Sequence, residues 1–192
     1  NDEKTITRIR NYFKKIHSLV YIKRNLYDFH KSLKRVELDS IIPDYDDNLK
    51  YLLNNLTFQI IVNNSKNQLL IDRALYYQKW FQEPNQIVSA IRKHQENLDW
   101  NITRLYRIRN EIVHNAAIKN GIYVHISHLK YYLTFTLNSI MDFMSDPTPD
   151  IDNDGKVTID DFFICQDIIL GCNEGEKLEK WIELKHPNQI FQ

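Results

Sequence analysis

The sequence predicts an all-α bundle with a short C-terminal helical appendage, on three observations. Only four glycines occur in 192 residues and three of them follow residue 150, so most of the chain lacks the turn residues that hairpins need. Apolar residues recur at spacings of three and four through most of the sequence, the period of a helix buried along one stripe. No repeat of 20 to 50 residues and no low-complexity tract interrupts that pattern, and a chain of this length supports one main core.

The elements follow in order. Over residues 11–37, Phe13, Ile16, Leu19, Val20, Leu26, Phe29, Leu33 and Val36 form one apolar stripe and predict a long helix. The stretch 41–47, with Pro43 and three Asp, ends it. Further helices are expected over 48–62, over 65–81 with Ser65 as N-cap, and over 85–118 with Pro84 at its start and room for a break at 99–101. Asn120 and Gly121 turn the chain. Residues 124–144 then read as a helix with Ile126, Leu129, Leu133, Leu137, Ile140 and Met144 on one side. Pro147 and Pro149 make 145–154 a hinge, which divides the chain into a helical domain 1–145 and an acidic appendage 146–192.

The net charge of zero conceals an uneven distribution. Residues 1–40 are basic and residues 145–192 acidic, so the front can meet phosphates, dock on the tail, or present a solvated helix face. No apolar run approaches the roughly 20 residues of a membrane span and no signal-peptide pattern is present. Cys165 and Cys172 read as reduced, buried thiols, because a secreted scaffold would carry more cysteines and structural zinc takes four ligands. A cytoplasmic protein, cut from a longer polypeptide, is the expectation, with no membrane partner. The three Trp and eleven Tyr are packing residues by default.

One stretch carries chemistry, LYRIRNEIVHN at residues 105–115. On an ideal helix at 100° per residue, Leu98, Ile102, Leu105, Ile108, Ile112 and Ala116 share a face, whereas Thr103, Tyr106, Arg107, Asn110 and His114 make a polar one. Asn110 and His114 are neighbours one turn apart. Arg109 lies five residues before His114, about 140° around the helix, so its side chain curls back or meets a His from another copy. The pattern Arg, Asn, short spacer, His occurs three times: Arg10, Asn11 and His17; Arg24, Asn25 and His30; Arg109, Asn110 and His114. Ile112 and Val113 before the third His, and Tyr106 and Ile108 before its Arg, single out that copy. His17 and His30 are read as core-edge or surface residues.

These surroundings, with ISHLKYYLTFTLNSIMDF after a loop, resemble the catalytic motif and following helix of the HEPN superfamily, most closely its Apea-like branch. The resemblance covers residues 85–144; the first 84 agree only in being helical. It implies a HEPN-like bundle and a metal-independent endoribonuclease acting as effector or toxin in phage defence. The implied products are a 2′,3′-cyclic phosphate and a 5′-hydroxyl. It also implies a homodimer whose two motif helices meet, so that Arg109, Asn110 and His114 of both chains share one cleft, with Tyr106 and Arg107 as flanking RNA contacts. A sensor domain or antitoxin is a further possible partner. The residue types suit the chemistry: His moves protons near neutral pH, Arg presents a charged fork to phosphate oxygens, and Asn110 hydrogen-bonds imidazole or substrate. The competing expectation is a HEPN-like module that binds RNA, nucleotide or protein without cutting.

A second motif, DIDNDGKVTIDD at residues 150–161, resembles an EF-hand or dockerin calcium loop. Asp150, Asp152, Asp154, Lys156, Thr158 and Asp161 stand at positions 1, 3, 5, 7, 9 and 12, and Gly155 at the sharp turn. The loop departs from the pattern in having Asp where position 12 prefers Glu, in the preceding prolines and in being a single copy. It either holds a structural Ca²⁺ with no part in catalysis or forms an Asx-rich turn that starts a helix at Thr158. A calcium-dependent adaptor is the third functional expectation.

Overall fold

The computed structural model describes residues 2–115, 122–145, 150–151, 154–172 and 178–183. Among these, every regular element is a helix and none is a strand. The α-helices are α1 (Asp2–Arg35), α2 (Asn55–Asn64), α3 (Gln68–Gln82), α4 (Pro84–Asn115), α5 (Ile122–Met144), α6 (Ile159–Cys172) and α7 (Leu178–Glu183), with 3-10 turns at Asp39–Ile41 and Lys50–Leu53. No helix among the described residues is long and apolar enough to cross a membrane.

The chain forms two compact units, 1–19 with 93–171 and 20–92 with 172–185, apart from the last residues. Helices α1 and α4 each contribute to both, and the C-terminal segment after residue 145 is likewise divided between them.

In the first unit, Ile16, Leu98, Ile102, Phe135, Phe143 and Phe162 are buried. Aromatic packing ties the helices together: Tyr12 stacks on Phe163 at 4.0 Å between ring centroids, and Phe143 meets Phe162 edge-on at 5.3 Å. Arg10 and Lys14 of α1 both grip Asp99 of α4. The Arg10 hydrogen bond, ahead of Lys14, holds the Asp99 carboxyl below its usual range against the opposing effect of burial. Helix α4 runs unbroken through 99–101, where the sequence left room for a break, and Asp99 is bonded outward to α1 instead of capping a new helix.

In the second unit, Trp80 lies buried against Tyr77 and Tyr76, and Phe29, Leu52, Phe58, Ile61, Trp181 and Ile182 fill the remaining core. The expected single helix over 48–62 is a 3-10 turn followed by α2, since Leu49 adopts a left-handed φ of 62° and the Asn54 side chain caps Leu56 N–H. Ser65 is not the cap of α3: it ends α2, and Asn67 caps α3 by accepting from Leu70 N–H. Pro84 opens α4 as its first residue, where its missing N–H is of no consequence.

The largest departure concerns α5. The buried residues of this helix are Phe135, Thr136, Ser139 and Phe143. The apolar side expected from the sequence faces outward, with Ile126, Leu129, Leu133, Leu137 and Met144 exposed.

Candidate functional site

The motif helix, α4, leaves its core-facing residues Leu98 and Ile102 behind and reaches its last three turns with both polar sides accessible. Placed at 100° per residue, Trp100, Arg104, Arg107, Glu111 and His114 fall within about 80° of arc, and Arg109 lies on the opposite side. Arg104, Arg107, Arg109 and His114 are exposed, whereas Tyr106, Asn110 and Glu111 are half-buried. Trp100 is 63% exposed, unusual for the largest side chain. The Arg104 guanidinium sits 5.5 Å from its ring centroid, a cation–π pair at i, i+4.

On the other side, the Arg109 guanidinium donates to the Asn110 side-chain oxygen at 2.9 Å. Arg109 and Tyr106 border a cavity of about 360 Å³ whose wall is otherwise mainly apolar, with Ile9, Phe13, Leu105 and Leu129 among its residues. Of the expected site residues, the structure bonds Arg109 to Asn110 and sets Arg109 beside Tyr106 at the cavity, while Asn110 stays one turn from His114 and Arg109 points to the other side of α4. Within one chain the Asn110 oxygen is engaged by Arg109. Within one chain Arg109 and His114 stand about 140° apart around α4.

The two other copies of the spacing are absorbed by the fold. His17, 3% exposed and not at the surface, is ringed by Phe13, Tyr131, Tyr132 and Phe135. Its companion Arg10 is held by Asp99. His30, equally buried, stacks on Tyr45 at 4.5 Å, and bonds Tyr51 Oη through Nδ1 at 3.0 Å and Asp47 through Nε2 at 3.1 Å. Asn25 donates to the Tyr21 carbonyl. Burial pushes the His30 pKa down, and Asp47 opposes that shift; the same burial pushes the Tyr45 phenol up to about 12 and Tyr51 higher still.

In the acidic segment, Asp150 accepts the N–H groups of Asp154 and Gly155 at 3.2 and 2.9 Å. Asp161, fully buried, accepts Ile151 N–H at 3.0 Å and Thr158 N–H at 2.7 Å. The Asp161 N–H in turn donates to Thr158 Oγ1, a reciprocal capping box that opens α6. Gly155 takes a φ of 85° at the turn. These bonds close the loop and start the helix by themselves. Asp154 and Lys156 are exposed, Asp152 lies outside the described residues, and no cluster of three or more His, Cys, Asp or Glu poised around a cation occurs among the described ones. Cys165 is half-buried with its pKa raised by desolvation, which disfavours the reactive thiolate.

Sequence reasoning passed over Trp100 and Arg104 by treating tryptophan as core. The available signal was local: Trp100 stands between Asp99 and Asn101, off the Leu98, Ile102, Leu105 stripe and one turn before an arginine. No protein-family model matches this chain, nor does any curated protein or solved structure.

Proposed function

We propose that this chain is a HEPN-like helical domain acting as a metal-independent endoribonuclease, an effector or toxin of phage defence working in the cytoplasm. The supporting observation is the end of α4, where Arg109, paired with Asn110, borders a cavity while His114, Arg107, Arg104 and an exposed Trp100 line an accessible face. That combination suits RNA: a stacking surface for bases, guanidinium groups for phosphates, and an imidazole for proton transfer. In the proposed reaction His114 takes the 2′-hydroxyl proton, the 2′-oxygen attacks phosphorus, and the bond to the 5′-oxygen breaks. Arg109 of a second copy neutralises the developing charge, and the 5′-oxygen leaves with a proton donated by the protonated His114 of that second copy. Tyr106 and Arg107 flank the RNA. A homodimer across the Arg109 and His114 helix assembles this cleft, and a sensor domain or antitoxin restrains it.

The test is cleavage of total RNA in EDTA by the parent, His114→Ala and Arg109→Ala, each checked for folding by circular dichroism. Cutting by the parent alone supports the reading, and cutting that survives both substitutions sinks it. The second reading, a module that binds RNA without cutting, is favoured by the placement of Arg109 and His114 on opposite sides of α4 in a single chain. RNA binding with no cleavage by the parent would select it.

For the 150–161 loop we propose a structural Ca²⁺, held by Asp150, Asp152, Asp154, Asp161, the Lys156 carbonyl and Thr158. The left-handed Gly155 and the inward Asp150 and Asp161 support this, while the capping box gives the loop a role without a cation. A melting temperature that does not move with millimolar calcium would overturn it.

A further inference from the structure

The outward side of α5 is the feature that the nuclease reading leaves unused. Ile126, Leu129, Leu133, Leu137 and Met144 are 44% to 56% exposed, and Met141 is 64% exposed. They form one stripe about 27 Å long on a helix that carries only Lys130 and Asp142 as formal charges. Folded monomers seldom leave so continuous an apolar surface in water.

The spacing of the stripe identifies its occupant. Positions 126, 129, 133, 137, 141 and 144 read the same from either end about residue 135. A second copy laid antiparallel across a two-fold axis at that level sets Ile126 of one copy against Met144 of the other, Leu129 against Met141, and Leu133 against Leu137. Parallel packing would instead stack Lys130 on Lys130 and align the two helix dipoles. In the antiparallel arrangement Lys130 meets Ile140, along which its aliphatic stem can lie. The exposed side chains, with Tyr123 at the N-terminal end, present an area on the order of 800 Å² per copy, the contribution of each partner to a standard stable interface. Leu129 belongs both to the stripe and to the cavity bordered by Arg109, so a copy seated here stands beside that residue.

We propose that the outward face of α5 is a self-association surface on which a second copy of this chain packs antiparallel about a two-fold axis. The contact itself does not rest on the nuclease reading. Sedimentation velocity across micromolar concentrations should find a larger assembly for the parent than for Leu133→Glu with Leu137→Glu, with unchanged circular dichroism because both positions are exposed. In a Cys165→Ser, Cys172→Ser background, mixing Ile126→Cys with Met144→Cys protein should give an oxidised cross-link that neither variant forms alone. A parent that stays monomeric, whether or not it binds vesicles or another protein, overturns the proposal. So does an assembly whose size the double substitution leaves unchanged, and self-cross-linking of Ile126→Cys overturns the antiparallel packing. Loss of the assembly on the double substitution, without RNA cutting by the parent, leaves this contact standing and removes the nuclease, whereas RNA cutting by a parent whose assembly the double substitution does not change does the reverse.

Discussion

His30 and His114 end the same short pattern of Arg, Asn, spacer and His, yet the fold treats them in opposite ways. His30 is stacked on Tyr45, bonded through both ring nitrogens and shut away from water. His114 stands exposed at the end of a helix that passes an exposed Trp and three Arg. A spacing places residues around a helix axis; whether they meet a substrate depends on what else packs against that side. The contrast assigns His30 to stability and leaves His114 accessible for the proposed chemistry, and each reading can be attacked.

The largest effect separating them should be on activity. His114→Ala should lower RNA cleavage by roughly 10²- to 10⁴-fold with a change in stability within about 0.5 kcal/mol, read from gel-based cleavage rates and a urea titration of the same protein. Equal cleavage by parent and variant would end the contrast.

Next comes stability. His30→Ala removes a packed ring and leaves the buried Tyr51 hydroxyl without its Nδ1 partner. A loss of about 2–4 kcal/mol is expected from cavity and hydrogen-bond effects together. A denaturation midpoint equal to that of the parent would show that the cluster is dispensable.

A smaller effect would sharpen the functional side. Trp100→Ala should weaken binding of single-stranded RNA by about 1–3 kcal/mol per stacked base while leaving the melting temperature nearly unchanged, because the ring is exposed. Fluorescence anisotropy with a labelled oligonucleotide measures this, and an unchanged Kd would exclude the ring from the interface.

The smallest effect is in pH dependence. Burial holds the folded-state pKa of His30 below its unfolded value near 6.5. Above pH 6.5 neither state binds the proton, and the stability from the neutral ring is fully present. As pH falls below 6.5 the unfolded chain takes up a proton first, so stability declines until the folded-state pKa is passed. Melting temperatures of the parent should decline through this window more steeply than those of His30→Gln. Parallel curves would mean that His30 makes no contribution to the slope.

Much of the fold was legible in the chain. The stripe from Phe13 to Val36, the placement of Pro84 and the run from Val124 to Met144 marked three long helices, because helical period and proline chemistry are local properties. The Ser65 assignment failed because Ser, Asn and Asn at 65, 64 and 67 all cap well in isolation, and the partners of each N–H decide among them. The motif residues Arg109, Asn110 and His114 and the roughly 140° between Arg109 and His114 were legible, but the cavity beside Arg109 was not, since that cavity is lined by α1 and α5 as well.

The sequence by itself determined that the chain is helical, that Asn110 and His114 stand one turn apart with Arg109 about 140° from His114, and that α5 carries an apolar stripe. Tertiary structure alone decided which of three alike histidines is exposed, that Asp99 holds α1 instead of breaking α4, and that the α5 stripe faces outward. Periodicity fixes the angle between side chains on one helix, but the direction of that helix relative to the core depends on residues distant in the chain, here the ring of aromatic groups around His17 that draws the Phe135 side of α5 inward.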